Sequence, residues 1–386
     1  MTFGLFVMLL THTLTHAFQG MHTTLFPVLK EEFKLGYYEL GLIAAIPPLC
    51  QAILSIPAGM LCDKFGTKKM IIFSQILSCI GSLVAGFTQN PWMFIVAISF
   101  LYLNTTFYHP ASYSYVTKEF KPGDRSKALG IHGAGGTLGM AIGPISISIL
   151  MAWFAFGWRQ VYLAWFIPLL IGLALVMFIK NVPEESLKPL GKVEEKKPVE
   201  AKSIMSPSMF WFLVYQGARA MGGSISGAFL SIYLVNSQGW PLEWAGLIFG
   251  ASSLMGIAAA PIGGFFADKV GEKKWTLYTI TASSICYAIA FWVPGMIGFS
   301  ALYLSYGFFN LLGMASNSSL TAKLSPSKQR GLGFALYFLP GSIMGAIAPI
   351  IAAWIANNYG LFPVFLAASA VFFISLPILQ FGVKIE

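Results

Sequence analysis

The chain has 386 residues, 56% of them hydrophobic and only 10% charged, with a formal net charge of +9. Soluble globular chains carry about 25% charged residues, so this composition argues against a soluble enzyme. Apolar stretches of about 20 residues recur from end to end without the alternation of a transmembrane β-barrel, which points to an all-α membrane protein.

Hydropathy and its breaks predict twelve helices, near 3–29, 38–61, 70–88, 92–117, 127–152, 160–180, 208–235, 243–266, 275–296, 298–322, 331–356 and 361–381. The opening segment lacks a basic n-region and a small-residue cleavage site, so it is read as the first permanent helix rather than a removable signal. Lys64, Lys68, Lys69, Lys118, Lys121, Arg125 and Lys127 lie in even-numbered loops of the first half. Lys269, Lys273, Lys274, Lys323, Lys328 and Arg330 do so in the second, while odd-numbered loops hold only Lys30, Lys34 and Arg159. This bias predicts that both termini are cytoplasmic, in the plasma (inner) membrane. The positive charge is thus explained by topology, and no nucleic-acid partner is expected. Cys50, Cys62, Cys79 and Cys286 are dispersed, without metal-like spacing, and are expected to be free thiols.

Residues 181–207 form the one long polar segment, a solvated linker that divides the chain into six-helix bundles at 1–180 and 208–386. Across it the halves match at an offset of 204 to 205. "GMLCDKFGTKK" (59–69) resembles "GFFADKVGEKK" (264–274), Pro122 matches Pro326, and "GPI" (143–145) matches "API" (348–350). Two six-helix units in the same order make parallel repeats, with a solute path expected between them.

The loop residues Gly59, Asp63, Lys64, Gly66, Lys68 and Lys69 resemble the G-x-x-x-D-K/R-x-G-x-K/R signature of the major facilitator superfamily. Gly264, Asp268, Lys269, Gly271, Lys273 and Lys274 repeat it, and "GMAIGP" (139–144) and "GWRQVYLAWFIP" (157–168) extend the likeness over the chain. The resemblance implies a twelve-helix major facilitator fold and solute transport. A narrower one, carried by "THAFQGMHTTLFPVLKEEFKLGYYELGLI" and "FYHPASYSYV", is to the fosmidomycin-resistance branch; it implies export of a small anionic phosphonate in exchange for protons. Physically, Asp63 and Asp268 at helix ends are expected to meet neighbouring cations and helix dipoles, as a latch on the cytoplasmic side. Gly66 is expected to take a positive φ.

Every one of the 15 acidic residues falls in a loop, a helix end or the linker. The ionisable groups at depth are Arg219 and the histidines. Counting ~1.5 Å per residue from the inner helix starts puts His12 and Arg219 near the midplane, at ~14 and ~17 Å. An intramembrane arginine is costly and needs a partner or a cavity; with no carboxylate at its depth, an anionic substrate is its natural counter-ion. His12, His16, Gln19 and Thr23 share one helical stripe, and His22 points off it. His109 precedes the helix-bending Pro110, and His132 is placed near the mouth of the fifth helix.

These features predict a secondary transporter that moves a small anionic organic solute by alternating access, coupled to protons or to a second anion. Arg219, His12, His16, His109, Gln19, Tyr215 and Asn310 are the expected substrate residues, with Arg219 and the first-helix histidines facing across the cavity. His12, His16, His109 and Glu39 are the proton-coupling candidates, and the two Asp-Lys-Gly-Lys loops the gate. Tyr108, Tyr113, Gln216, Tyr303, Asn317 and Tyr337 are further polar candidates. No enzymatic activity, cofactor or resident metal is expected, and the protein is expected to act as a monomer in the bilayer. The alternatives are an exporter of lipophilic drugs and, more remotely, a metal or haem protein that uses His12 and His16.

Overall fold

A computed structural model describes residues 1–181, 205–325 and 330–385. The linker expected at 181–207 falls almost wholly outside the described residues, as does Pro326. The described residues are helical throughout and form twelve spans. Among the described residues nine helices are long and apolar enough to cross a membrane on length and composition alone; the first, seventh and ninth spans, broken or richer in polar residues, make up the twelve.

The first span is three pieces, Phe3–Ala17, Met21–Thr24 and Phe26–Phe33. The continuous helix expected over 3–29 is therefore corrected: it breaks in the turn at 18–20, where Pro144 of the fifth span packs against Gly20. There follow Tyr37–Phe65, Thr67–Gly86, Pro91–Glu119, Pro122–Ala152 and Trp158–Phe178. The second half runs Pro207–Ile232, Leu242–Val270, Glu272–Ala290, Met296–Leu312 with Met314–Leu324, Arg330–Tyr359 and Leu361–Pro377. The tenth span breaks at Gly313, and the freed carbonyl of Leu312 accepts the Trp275 indole N–H at 3.3 Å.

Local chemistry starts and stops these helices. Thr2, Asn90 and Ser206 each accept a backbone N–H of the first turn, and Pro91 and Pro207 begin their helices where a missing N–H costs nothing. Gly66 and Gly271 end the second and eighth spans at φ of 85° and 91°, as the repeated motif predicts.

Within the first half the fifth span lies directly on the first. A Cβ added at Gly139 would stand 2.2 Å from the Thr13 carbonyl oxygen, and one at Gly143 would overlap that of Ala17 at 1.7 Å. Small residues let the backbones approach this closely.

The buried apolar side chains divide in a way that gives the shape. One cluster runs through both halves, joining Leu14, Phe18 and Phe26 to Ile225, Phe229 and Phe365. Toward the termini there are two separate clusters, one around Met8, Ile71 and Tyr115, the other around Phe212, Ile280 and Leu379. The halves are thus packed together on the side away from the termini and parted on the side that carries them. On the closed side Ser148 Oγ donates to the Glu243 carbonyl at 2.6 Å, and Ser231 donates to that of Thr23. Gly246 and Gly250 abut Pro144, Ile145 and Ala141. On the open side Gly59, Gly130 and Gly341 have no non-local neighbour within 4 Å of a built Cβ.

Candidate functional site

A cavity of about 350 Å³ opens around Arg219, within the second half. The seventh span supplies Tyr215, Gln216 and Arg219, the tenth Tyr306, Asn310 and Asn317, and the eleventh Tyr337 and Phe338. The break at Gly313 falls between Asn310 and Asn317, so each stands on its own short helix and both line the cavity.

Arg219 is fixed entirely by neutral groups. Its Nη2 donates to Asn310 Oδ1 at 2.6 Å and its Nη1 to Ser284 Oγ at 3.2 Å, while the guanidinium lies 4.4 Å from the Phe372 ring centroid. Among the described residues no carboxylate pairs with it. Five donors in a planar fork exceed these two acceptors, so the guanidinium has N–H groups free for an anion. Tyr215, buried beside it, donates toward Asn317 Oδ1 at 3.5 Å. Sequence reasoning finds Arg219, Tyr215, Gln216, Asn310, Asn317 and Tyr337, but misses Ser284, Tyr306 and Phe372. A serine and two aromatics carry no signal against an apolar helical background.

The histidines form a second centre, in the first half. His12 Nε2 lies 3.2 Å from His109 Nε2, and His16 Nε2 lies 3.1 Å from the same atom. His12 Nδ1 donates to the His132 carbonyl at 2.6 Å, and His16 Nδ1 to Gln19 Oε1 at 2.8 Å. The His132 ring stacks on that of His12 with centroids 4.1 Å apart. Its nitrogens turn away, to Ser112 Oγ and the Met8 carbonyl. The placement of His132 at the helix mouth is corrected: it is fully buried beside His12, because the fifth span is pressed onto the first. Gly136 permits this packing, with His12 Cε1 only 2.9 Å from where its Cβ would be. Tyr108 and Tyr113 flank the rings, whereas Tyr303 packs against Phe299 and Tyr287, away from the lining of the Arg219 cavity.

The expectation that Arg219 and the first-helix histidines face one another across a cavity is corrected for the pocket seen here, since the Arg219 cavity is lined by second-half residues alone. His22 is apart from both centres, edge-on to Phe26 and Tyr102. Glu39 is exposed in the first turn of the second span and is not part of the imidazole group. At the motif loops Asp63, Lys64, Asp268 and Lys269 are exposed, and among the described residues neither aspartate makes an ion pair. Lys68 and Lys273 do something unforeseen. Lys68 Nζ donates to the carbonyls of Met177 and Ile179, both at 2.8 Å, and Lys273 Nζ to that of Gln380 at 2.7 Å. Each cation caps the last span of its own half, where a helix dipole presents partial negative charge.

Known proteins resemble the whole arrangement. The crystal structure of a bacterial homologue of the human lysosomal transporter Spinster, in an inward-facing and occupied conformation, is similar with a TM-score of 0.81 over 98% of this chain and 96% of that one, at 15% identity. The sialic acid transporter NanX of Escherichia coli K12 is 25% identical over 344 residues, 86% of this chain and 82% of that protein. The fosmidomycin resistance protein of the same organism is 23% identical over 272 residues, 68% of this chain and 64% of that protein. The family model described as Major Facilitator Superfamily matches residues 8–316 and 218–384. With twelve spans in two repeated bundles and a family match along most of its length, this chain is a membrane transporter that belongs to the major facilitator superfamily.

Proposed function

We propose that the protein is a secondary active transporter of a small organic anion, with Arg219 as the group that grips it. The carrying observation is an arginine midway along the seventh span, bordering a cavity of about 350 Å³ and held, among the described residues, by Asn310, Ser284 and Phe372. A half-buried cation with neutral partners inside an apolar span is costly until an anion meets it. Apolar walls from Leu311, Met314 and Phe338 suit the organic part of the solute. The similarity to a transporter named for sialic acid supports the reading.

The proton is the proposed coupling ion, carried by His12, His16 and His109, whose side-chain type titrates near pH 6.5 when unperturbed. Bundle rocking would expose the cavity to each side in turn, with the Asp63 and Asp268 loops forming the latch when the terminus-bearing side closes. The lysine distribution supports an orientation with both termini cytoplasmic, and we take the protein to act as a monomer in the plasma (inner) membrane. The likeness to the fosmidomycin resistance protein makes export of a phosphonate the direction to test first.

Thermal-shift titration of the purified protein with carboxylates, phosphonates and neutral isosteres is the direct test. Anions are expected to raise the melting temperature of wild type, and Arg219→Gln to weaken that binding at least ~10-fold, the loss of one charge-assisted hydrogen bond or more. Shifts with neutral lipophiles alone would support a lipophilic-drug exporter and remove the anion reading.

A further inference from the structure

We infer that His12, His16 and His109 form a three-imidazole binding site for a divalent transition-metal ion of the zinc class. The argument starts from hydrogen count. A carbonyl or amide oxygen accepts but cannot donate, so the proton of neutral His12 sits on Nδ1, toward the His132 carbonyl, and that of His16 on Nδ1, toward Gln19 Oε1. Both rings therefore turn an Nε2 lone pair toward His109 Nε2, at 3.2 and 3.1 Å. His109 has at most one proton there, enough for one neighbour. With its proton on Nδ1 instead, it has none to give. At least one close nitrogen pair thus has no hydrogen between its members, and a shared cation is what resolves it.

The geometry suits a metal as that cation. The three ligand atoms all lie within 4.8 Å of one another. In tetrahedral coordination with Zn–N of about 2.0–2.1 Å, ligand nitrogens stand ~3.3 Å apart, close to two of the three separations. Ligating histidines ordinarily use their second nitrogen on a carbonyl, carboxylate or water, which fixes the tautomer and the ring; His12 and His16 are already held in that way. Imidazole donors without carboxylates or thiolates favour zinc, copper, nickel or cobalt over magnesium or calcium. Three ligands leave a fourth position, and the partial exposure of His16 and His109 gives it a side from which a small ligand can approach.

The metal would take the same lone pairs as a coupling proton. Its binding is measured without solute, so the failure of either reading leaves the other standing. The probe is Co²⁺, titrated into the full-length, tag-free protein in detergent and followed by visible absorption. Wild type is expected to bind one equivalent with the intense bands of low-coordinate cobalt, bleached by Zn²⁺. His109→Ala and His16→Gln should abolish the bands, while His22→Ala, outside the cluster, should keep them. Gln19→Leu, which removes an orienting partner, should weaken binding about 10- to 100-fold. Monodisperse elution of each variant separates loss of the site from loss of the fold. A wild-type spectrum no different from aqueous Co²⁺, or bands that persist in folded His109→Ala, would overturn the proposal.

Discussion

At the scale of single residues, what distinguishes Arg219 is the neutrality of its surroundings. Asn310 and Ser284 aim the guanidinium without discharging it, so they hold a net positive charge in place. Asn310→Ala is expected to lower stability by about 1.5–3 kcal/mol, the range for a hydrogen bond to a charged group, and to weaken anion binding by loosening the fork. Melting temperature and anion titration check the two effects. A contrasting pair lies at the terminus-bearing side, where Lys323 Nζ meets Glu272 Oε1 at 2.6 Å. The lysine's hydrogen bond holds the Glu272 carboxyl below the ordinary carboxylate range. A lowered folded-state pKa means the pair's contribution is present above the usual value of about 4.3 and is lost as pH falls through the depressed one. Lys323→Met should therefore lower the melting temperature at pH 7, and by progressively less as the pH falls through the depressed value. The difference should correspond to less than about 1 kcal/mol, because the lysine is half-exposed.

At the scale of elements, the contact of the fifth span with the first decides where the histidines go. Gly139 and Gly143 let the two backbones touch, and this closeness carries His132 onto His12. Gly143→Ala has no side-chain end to displace, only the Ala17 backbone. It should cost at least ~1–3 kcal/mol as overpacking and reduce the yield of folded protein in a detergent-stability assay. Helical angle and depth made the first-span pair legible in the sequence, and separated His22 from it. They could not place His109 and His132 beside that pair, because such a meeting depends on which faces of three helices pack together. The breaks at 18–20 and at Gly313 were hidden for a similar reason: hydropathy runs straight through them, and tertiary contacts absorb the freed carbonyls, as Trp275 does for Leu312.

At the scale of the whole molecule, the repeated motif loops and the periodic apolar stretches made the twelve-span, two-bundle plan readable before any coordinates. Which side is open was not readable, since one sequence must serve both arrangements. In the present one the closed side depends on glycines that seat the eighth span against the fifth. Gly250→Val would drive a side chain into Ile145 and the Ala141 carbonyl, so it should shift the population toward the opposite opening. Distances between spin labels on the two bundles, in a background without the four native cysteines, should lengthen on the side away from the termini. Unchanged distances would mean that the seam yields elsewhere.

The lysine caps at the two motif loops give this motion its mechanical frame. Lys68 ties the third span to the end of the sixth, and Lys273 ties the ninth to the π-helical segment Ile378–Gly382 that ends the twelfth. Each bundle is thereby belted to itself, at the edge that has lost contact with its twin. The belts let the open side stand apart without splaying, and the give of the molecule is concentrated in the seam between two stiff bodies. A further consequence concerns the chain beyond Ile179: a pull on the linker reaches the motif loop of the first bundle through one ammonium group.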